Sequence, residues 1–151
     1  MISIVITLVL LGGSSQDSSE IVPSFIDSIL AGNTEAAADM ISLEAYQDID
    51  SVMQNDPQTL VSVLGYFGIQ PGEDEAECSG GRELMVQVLS SPSVIGGIML
   101  FGVSPEEPFS SNDRLFVPAS FGMGPSRDTI YIQIVKEDSR WKLRDFFEEL
   151  P

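Results

Sequence analysis

This chain contains no histidine, and that single absence removes several reaction classes. Ser-His-Asp and Cys-His mechanisms need an imidazole to take the nucleophile's proton, so both are excluded in their usual form. A zinc site fails for the same reason, since the single cysteine, Cys78, cannot supply the missing ligands. Alone, Cys78 reads as a small buried hydrophobe, and it has no partner for an internal disulfide. Carboxylate-only sites survive the count. Asp48-Ile49-Asp50 and Glu73-Asp74-Glu75-Ala76-Glu77 group several oxygens, but neither has the spacing and glycine of a helix-loop-helix calcium site, so both read as solvated acids. The stretch Gly97 to Ser104 imitates a phosphate loop in its glycine and serine spacing. Val103 stands where a lysine must reach the phosphates, and the interior is apolar, so the match is accidental. No catalytic, cofactor-binding or metal-binding residue is assigned from these motifs.

The charge is large and lopsided. The 23 acids outnumber the 7 bases to give a net of −16, and all seven bases lie from Arg82 onward. An acidic first half of that strength repels phosphate backbones and anionic lipid, which excludes nucleic acid as a partner. The chain opens with MISIVITLVLLGGSS, whose apolar run from Met1 to Leu11 covers about 16 Å as helix. That falls well short of a hydrocarbon core of roughly 30 Å, so the run reads as an export leader over residues 1–13. No Lys or Arg precedes it, which leaves room for a start further upstream. Leu11-Gly12-Gly13-Ser14 resembles a lipoprotein processing box with serine in place of the lipidated cysteine. Residues 14–20, SSQDSSE, read as a flexible tether, and residues 21–151 as one domain. The address implied is outside the cytoplasm, in a periplasm, in the medium or at the cell surface, with membrane contact only through the leader.

The elements follow from period and punctuation. IVPSFIDSILA and TEAAADMI read as two short helices separated by Gly32 and Asn33. LEAYQDIDSVMQ makes a third, with Leu43, Tyr46, Ile49 and Met53 on one stripe. Asp56-Pro57 starts a fourth, whose inner face is Leu60, Val61, Leu64 and Phe67. Residues 69–80 read as an acidic loop, and RELMVQVLSS as a helix ending near Pro92. SVIGGIMLFG is apolar on every side and is therefore expected in the core, as helix or strand. Three antiparallel strands close the chain. DRLFVPASF points Leu115, Val117 and Ala119 one way, TIYIQIV points Ile130, Ile132 and Ile134, and RWKLRDF points Trp141, Leu143 and Asp145. Pro118 lacks an amide proton, which suits an edge strand or a bulge. Another strand, interrupted by Pro105 and Pro108, fits residues 101–109. The expected fold class is α+β, with N-terminal helices packed in the concave face of a curved antiparallel C-terminal sheet.

That order, with FIDSILAGNTEAAADMI at its start and IVKEDSRWKLRDF as its last hairpin, resembles the nuclear transport factor 2-like superfamily, also called the cystatin-like cone, in its small exported members. The resemblance spans residues 21–147. It implies a sheet bent around helices to leave a conical cavity, which some members use for small ligands and a few for acid-base catalysis. Two departures stand out: no short strand is evident between the second and third helices, and an additional helical pair occupies residues 57–91. For catalysis the family logic requires a carboxylate desolvated in the cavity, and Asp145 is the candidate by parity. Opposite the core set, Phe116, Tyr131, Val135 and Phe146 should form an apolar outer face suited to a homodimer, with Lys142 and Arg144 as rim charges. The function expected is non-catalytic, either binding of a small molecule or peptide or homo-oligomeric assembly. The alternative is a histidine-free isomerase or dehydratase.

Overall fold

The computed structural model describes residues 17–69 and 80–151. The leader over residues 1–13, the first part of the tether, the run Glu73 to Glu77 and Cys78 lie outside the described residues. The end of the expected tether is a 3-10 turn, Ser18–Glu20, which Asp17 caps by accepting from the Ser19 amide at 3.0 Å.

Six helices follow among the described residues: α1 (Ile21–Leu30), α2 (Thr34–Asp39), α3 (Leu43–Asn55), α4 (Pro57–Tyr66), α5 (Gly81–Leu89) and α6 (Pro92–Phe101). Four start on side-chain caps that meet otherwise unpaired amides. Asn33 accepts from Ala36, Ser42 from Ala45, Asp56 from Thr59 and Ser91 from Val94. Pro57 and Pro92 each occupy a first turn, where a missing N–H costs nothing. The α5 start is different. Gly80 has no side chain to offer, so Asp50 of α3 accepts from the Gly81 amide at 2.5 Å. A Cβ at Gly81 would sit 2.9 Å from Ile49 Cγ2, so glycine is what allows α5 to approach α3 this closely.

The sheet holds β1 (Ser104–Pro105), β2 (Phe109–Ser111), β3 (Arg114–Phe121), β4 (Asp128–Glu137) and β5 (Arg140–Phe147), paired antiparallel. β1 and β2 both pair with β3, and β4 and β5 follow on its other side. Two-residue turns join β2 to β3 at Asn112-Asp113 and β4 to β5 at Asp138-Ser139. All four residues have positive φ, the backbone hand that matches strand twist. Pro118 therefore lies in an interior strand and not at an edge. Its carbonyl accepts from Glu106 at 2.8 Å, so the face that lacks an N–H looks onto the break between β1 and β2. The neighbouring strand is interrupted where Pro118 has nothing to donate.

This is an α+β fold with helices against a sheet. Ile21 and Val22 of α1 pack on Val117, Ala119, Ile132, Ile134 and Leu143, and full burial of each such aliphatic is worth about 1.5–3 kcal/mol. Phe25 links this cluster to a second around Ile29, Ala37 and Leu89, and Val94 links that one to a third around Leu64, Leu84 and Val88. Three faces differ from the sequence expectation. Leu43 is exposed because α3 turns Ala45 inward instead, and Val61 is exposed on α4 although Leu64 of the same expected face is buried. The segment expected in the core, α6, has no fully buried residue, and Met99 is 73% exposed. Only its Val94, Ile95 and Ile98 edge touches the core.

Candidate functional site

The site is built around an irregularity in β5. Up to Leu143 the strand pairs with β4 in regular register, with Leu143 opposite Ile134. The next pair joins Asp145 to Gln133, so Arg144 is an extra residue in a bulge. Its consequence runs to the end of the strand. Asp145 sits opposite Gln133 on the outer face, exposed, and its carboxylate accepts from the Phe146 amide at 2.8 Å. The inward Asp145 expected from simple alternation is thus corrected. Phe146 is exchanged with Phe147 by the same step. Phe147 pairs with Tyr131 on the outer face and meets Phe116 edge-on at 6.0 Å, while Phe146 turns to the helix side.

The bulge aims Arg144 at α3. Its Nη2 donates to Asp48 Oδ2 at 2.8 Å, its Nε lies 3.2 Å from Glu44 Oε2, and its side chain is 16% exposed. Burial works against the guanidinium charge, and the bonds to Asp48 and Glu44 outweigh it to raise the pKa. Lys142 also turns to the helices and donates to the Asp39 carbonyl at the end of α2, where the helix dipole favours a cation. Arg144 is thus turned away from the outer face, whereas Lys142 starts opposite Val135 on that face and reaches round the sheet edge.

Beside this ion pair lies a cavity of about 410 Å³ between α1, α3, α5 and β5. Phe25, Ile49, Phe67, Met85, Val88 and Leu143 make its wall apolar, and Asp48, Arg144 and Asp145 are its charged members. The edge of the sheet is closed there by Ile41, which bridges Leu143 in parallel. The Ser42 amide donates to the Leu143 carbonyl, and the Leu143 amide to the Met40 carbonyl, both at 2.8 Å. A strand one residue long thus stands between α2 and α3. Two further apolar hollows adjoin the cavity. One, also about 410 Å³, lies under α4, and the other, about 470 Å³, runs between α6, the end of α4 and the sheet.

The chemistry available is narrow. Among the described residues every buried side-chain nitrogen or oxygen has a hydrogen-bond partner, and no group of three metal-ligating side chains occurs. Asp48 is ion-paired and Asp145 faces water, so no unpartnered carboxylate stands against the apolar wall. Asp50, the second acid of the Asp48-Ile49-Asp50 run, caps α5. Trp141 packs at the margin of the sheet core with Lys136 over its ring, 5.5 Å from the centroid. On the outer face Phe109, Phe116 and Tyr131 gather with Phe147. Phe116 is only 1% exposed, and the Asn112 side chain donates to the Pro151 carbonyl at 3.5 Å. Sequence parity missed Arg144 as a site residue. The one available signal was an arginine three residues after a tryptophan, with two acids one helical turn apart at Glu44 and Asp48. Compared with protein-family models, with curated proteins and with solved structures, the chain gives no match.

Proposed function

We propose that this chain is an exported, non-catalytic binding domain of the nuclear transport factor 2-like kind, and that the cavity beside Arg144 holds a small apolar or amphipathic molecule. The observation that carries the reading is the cavity itself, which is of ligand size and apolar in its wall, with few polar groups at one side. Two further features support the family. The helix-then-sheet order agrees with it, and the Ile41 bridge occupies the place where the family has its short strand. The apolar leader supports export. Acid-base catalysis gains nothing from the site, because each cavity carboxylate is paired or solvated.

A second reading, homodimerisation, rests on the aromatic outer face of the sheet, where Phe109, Tyr131 and Phe147 are half-buried. Light scattering at high concentration tests it, and a strictly monomeric mass removes it.

The test of the first reading is fluorescence titration with the neutral dye N-phenylnaphthylamine. Val88→Trp fills the cavity and should weaken binding by about tenfold or more, equivalent to about 1.4 kcal/mol. The milder Met85→Phe should weaken it less. Unchanged affinity in both, with native circular dichroism, would show that the dye and the cavity are unrelated.

A further inference from the structure

Phe67 follows the last turn of α4 and walls all three apolar hollows at once. The cavity beside Arg144 shares Ile49, Met85 and Val88 with the hollow under α4, and it shares Val94 with the groove along α6. They are three neighbouring hollows, and the Phe67 ring stands in the wall of each. The ring is only half-buried, and Tyr66, which meets it edge-on at 5.3 Å, is 83% exposed. The helix itself is held by Leu64, which is buried against Leu84 and Val88 of α5, with Leu60 and Phe67 packed on the same cluster. The hollow under α4 exposes no polar surface and the others little, a wall suited to a hydrocarbon chain and to nothing that needs hydrogen bonds along its length.

The mouth has the opposite character. Asp48 and Arg144 line its edge, and Glu44, one turn from Asp48 on α3, also holds the Arg144 charge. The local balance of these three is one negative charge, on a chain of net −16. An anionic head would be repelled there, while an uncharged or cationic one would not.

We infer that the hollows serve as one passage for a single-chain amphiphile with an uncharged or cationic head, whose alkyl tail runs from the mouth past Phe67 into the compartments under α4 and α6. This rests on the cavity being a binding site, and it adds the class of ligand and the role of Phe67. The compartment under α4 is walled by α4 and α5, the helical pair that is additional to the order the family resemblance implies.

The experiment is calorimetric titration of the full chain with n-alkyl glucosides from hexyl to dodecyl, each below its critical micelle concentration. While the tail keeps entering apolar space, each methylene should tighten binding about fourfold. The gain should continue beyond octyl in the wild type. In Phe67→Trp, which puts a larger ring in the shared wall, it should stop near octyl. In the unmutated chain, dodecyl glucoside should also protect the amides of residues 60–67 from hydrogen exchange, and octyl glucoside should not. A wild-type plateau at octyl, or no added protection of those amides, overturns the passage and leaves the single-cavity reading standing. Failure of every glucoside to bind removes that reading as well. Alkyl sulfates that bind as tightly as glucosides of equal length overturn the assignment of the head group.

Discussion

Replacing Arg144 with methionine keeps the aliphatic stem that packs at the cavity edge and removes the charge that bridges α3 to β5. The magnitude follows from the geometry. Glu44 and Asp48 are both 65% exposed, so each pair belongs with the weak, solvent-screened kind, worth about 0.2–1 kcal/mol. The two acids lie four residues apart on one helix and repel by a few tenths once the arginine is gone. The total is about 1–2 kcal/mol, which for a domain of this size lowers the melting temperature by about 3–8 °C. Thermal unfolding by circular dichroism at low and at high salt measures it, and the difference from wild type should shrink as salt rises. A double-mutant cycle with Asp48→Asn should give a coupling of about 0.5 kcal/mol or more. A change below about 1 °C at low salt, with no coupling, would mean that Arg144 points to solvent as a regular strand would have it. The bulge would then be wrong, Asp145 would face inward, and the site would have to be rebuilt around that carboxylate.

Gly122→Ala should cost about 2–4 kcal/mol in urea unfolding, because φ is 145° there and a Cβ would lie 2.4 Å from the Ser126 carbonyl oxygen. Gly96→Ala, with open space around it inside α6, should instead stabilise by about 0.5–1 kcal/mol in the same assay. Burial pushes the Tyr46 hydroxyl, which donates to the Ala38 carbonyl, from 10.0 up to about 12. The stability it contributes, about 2 kcal/mol at most for a half-buried ring, is full below pH 10 and is lost as pH rises through 12. Alkaline unfolding of wild type against Tyr46→Phe, followed by tyrosinate absorbance, checks the direction. Met99→Lys and Leu100→Lys should each change stability by less than about 0.5 kcal/mol, whereas Ile29→Ala, at 1% exposure, should cost about 2–5 kcal/mol.

Helix starts were legible because capping is local. Asp56-Pro57 and Asn33-Thr34 do at the helix ends what those residue types do anywhere, with partners two or three residues away. Helix faces were less legible, since a stripe shows only that one side is apolar and not which neighbour arrives. Leu43 and Val61 are as apolar as Leu64, yet nothing packs over them. The same limit explains α6, where uniform apolarity reads as burial although only one edge meets the core. Strand existence was legible by alternation, and the broken edge strand was foreshadowed by Pro105 and Pro108. The interior placement of Pro118 was not. A proline inside a sheet is tolerated when the neighbouring strand stops opposite it, and that is a property of two segments together.

The candidate site was hidden for a related reason. Alternation assigns every residue of RWKLRDF once the face of Trp141 is chosen, and it gives no place for a skipped residue. Two demands at opposite faces meet in this short strand. Arg144 must reach Glu44 and Asp48 on α3, and Phe147 must reach Phe116 across the sheet. In regular alternation Leu143 and Phe147 share a face, so with Leu143 committed to the core Phe147 would be drawn in with it and Arg144 thrown out. One additional residue resolves both, while at the strand's outer edge the Leu143 amide donates to the Met40 carbonyl and its carbonyl accepts from the Ser42 amide. The bulge therefore sets Arg144 against α3 and places Phe146 and Phe147 on opposite faces in one step. Deleting Arg144 outright should leave a regular ladder in which Asp145 and Phe147 keep the outer face and Leu143 keeps its bonds to Met40 and Ser42, so it should cost about the same 1–2 kcal/mol as Arg144→Met in urea unfolding, and a deletion that unfolds the chain would refute the bulge.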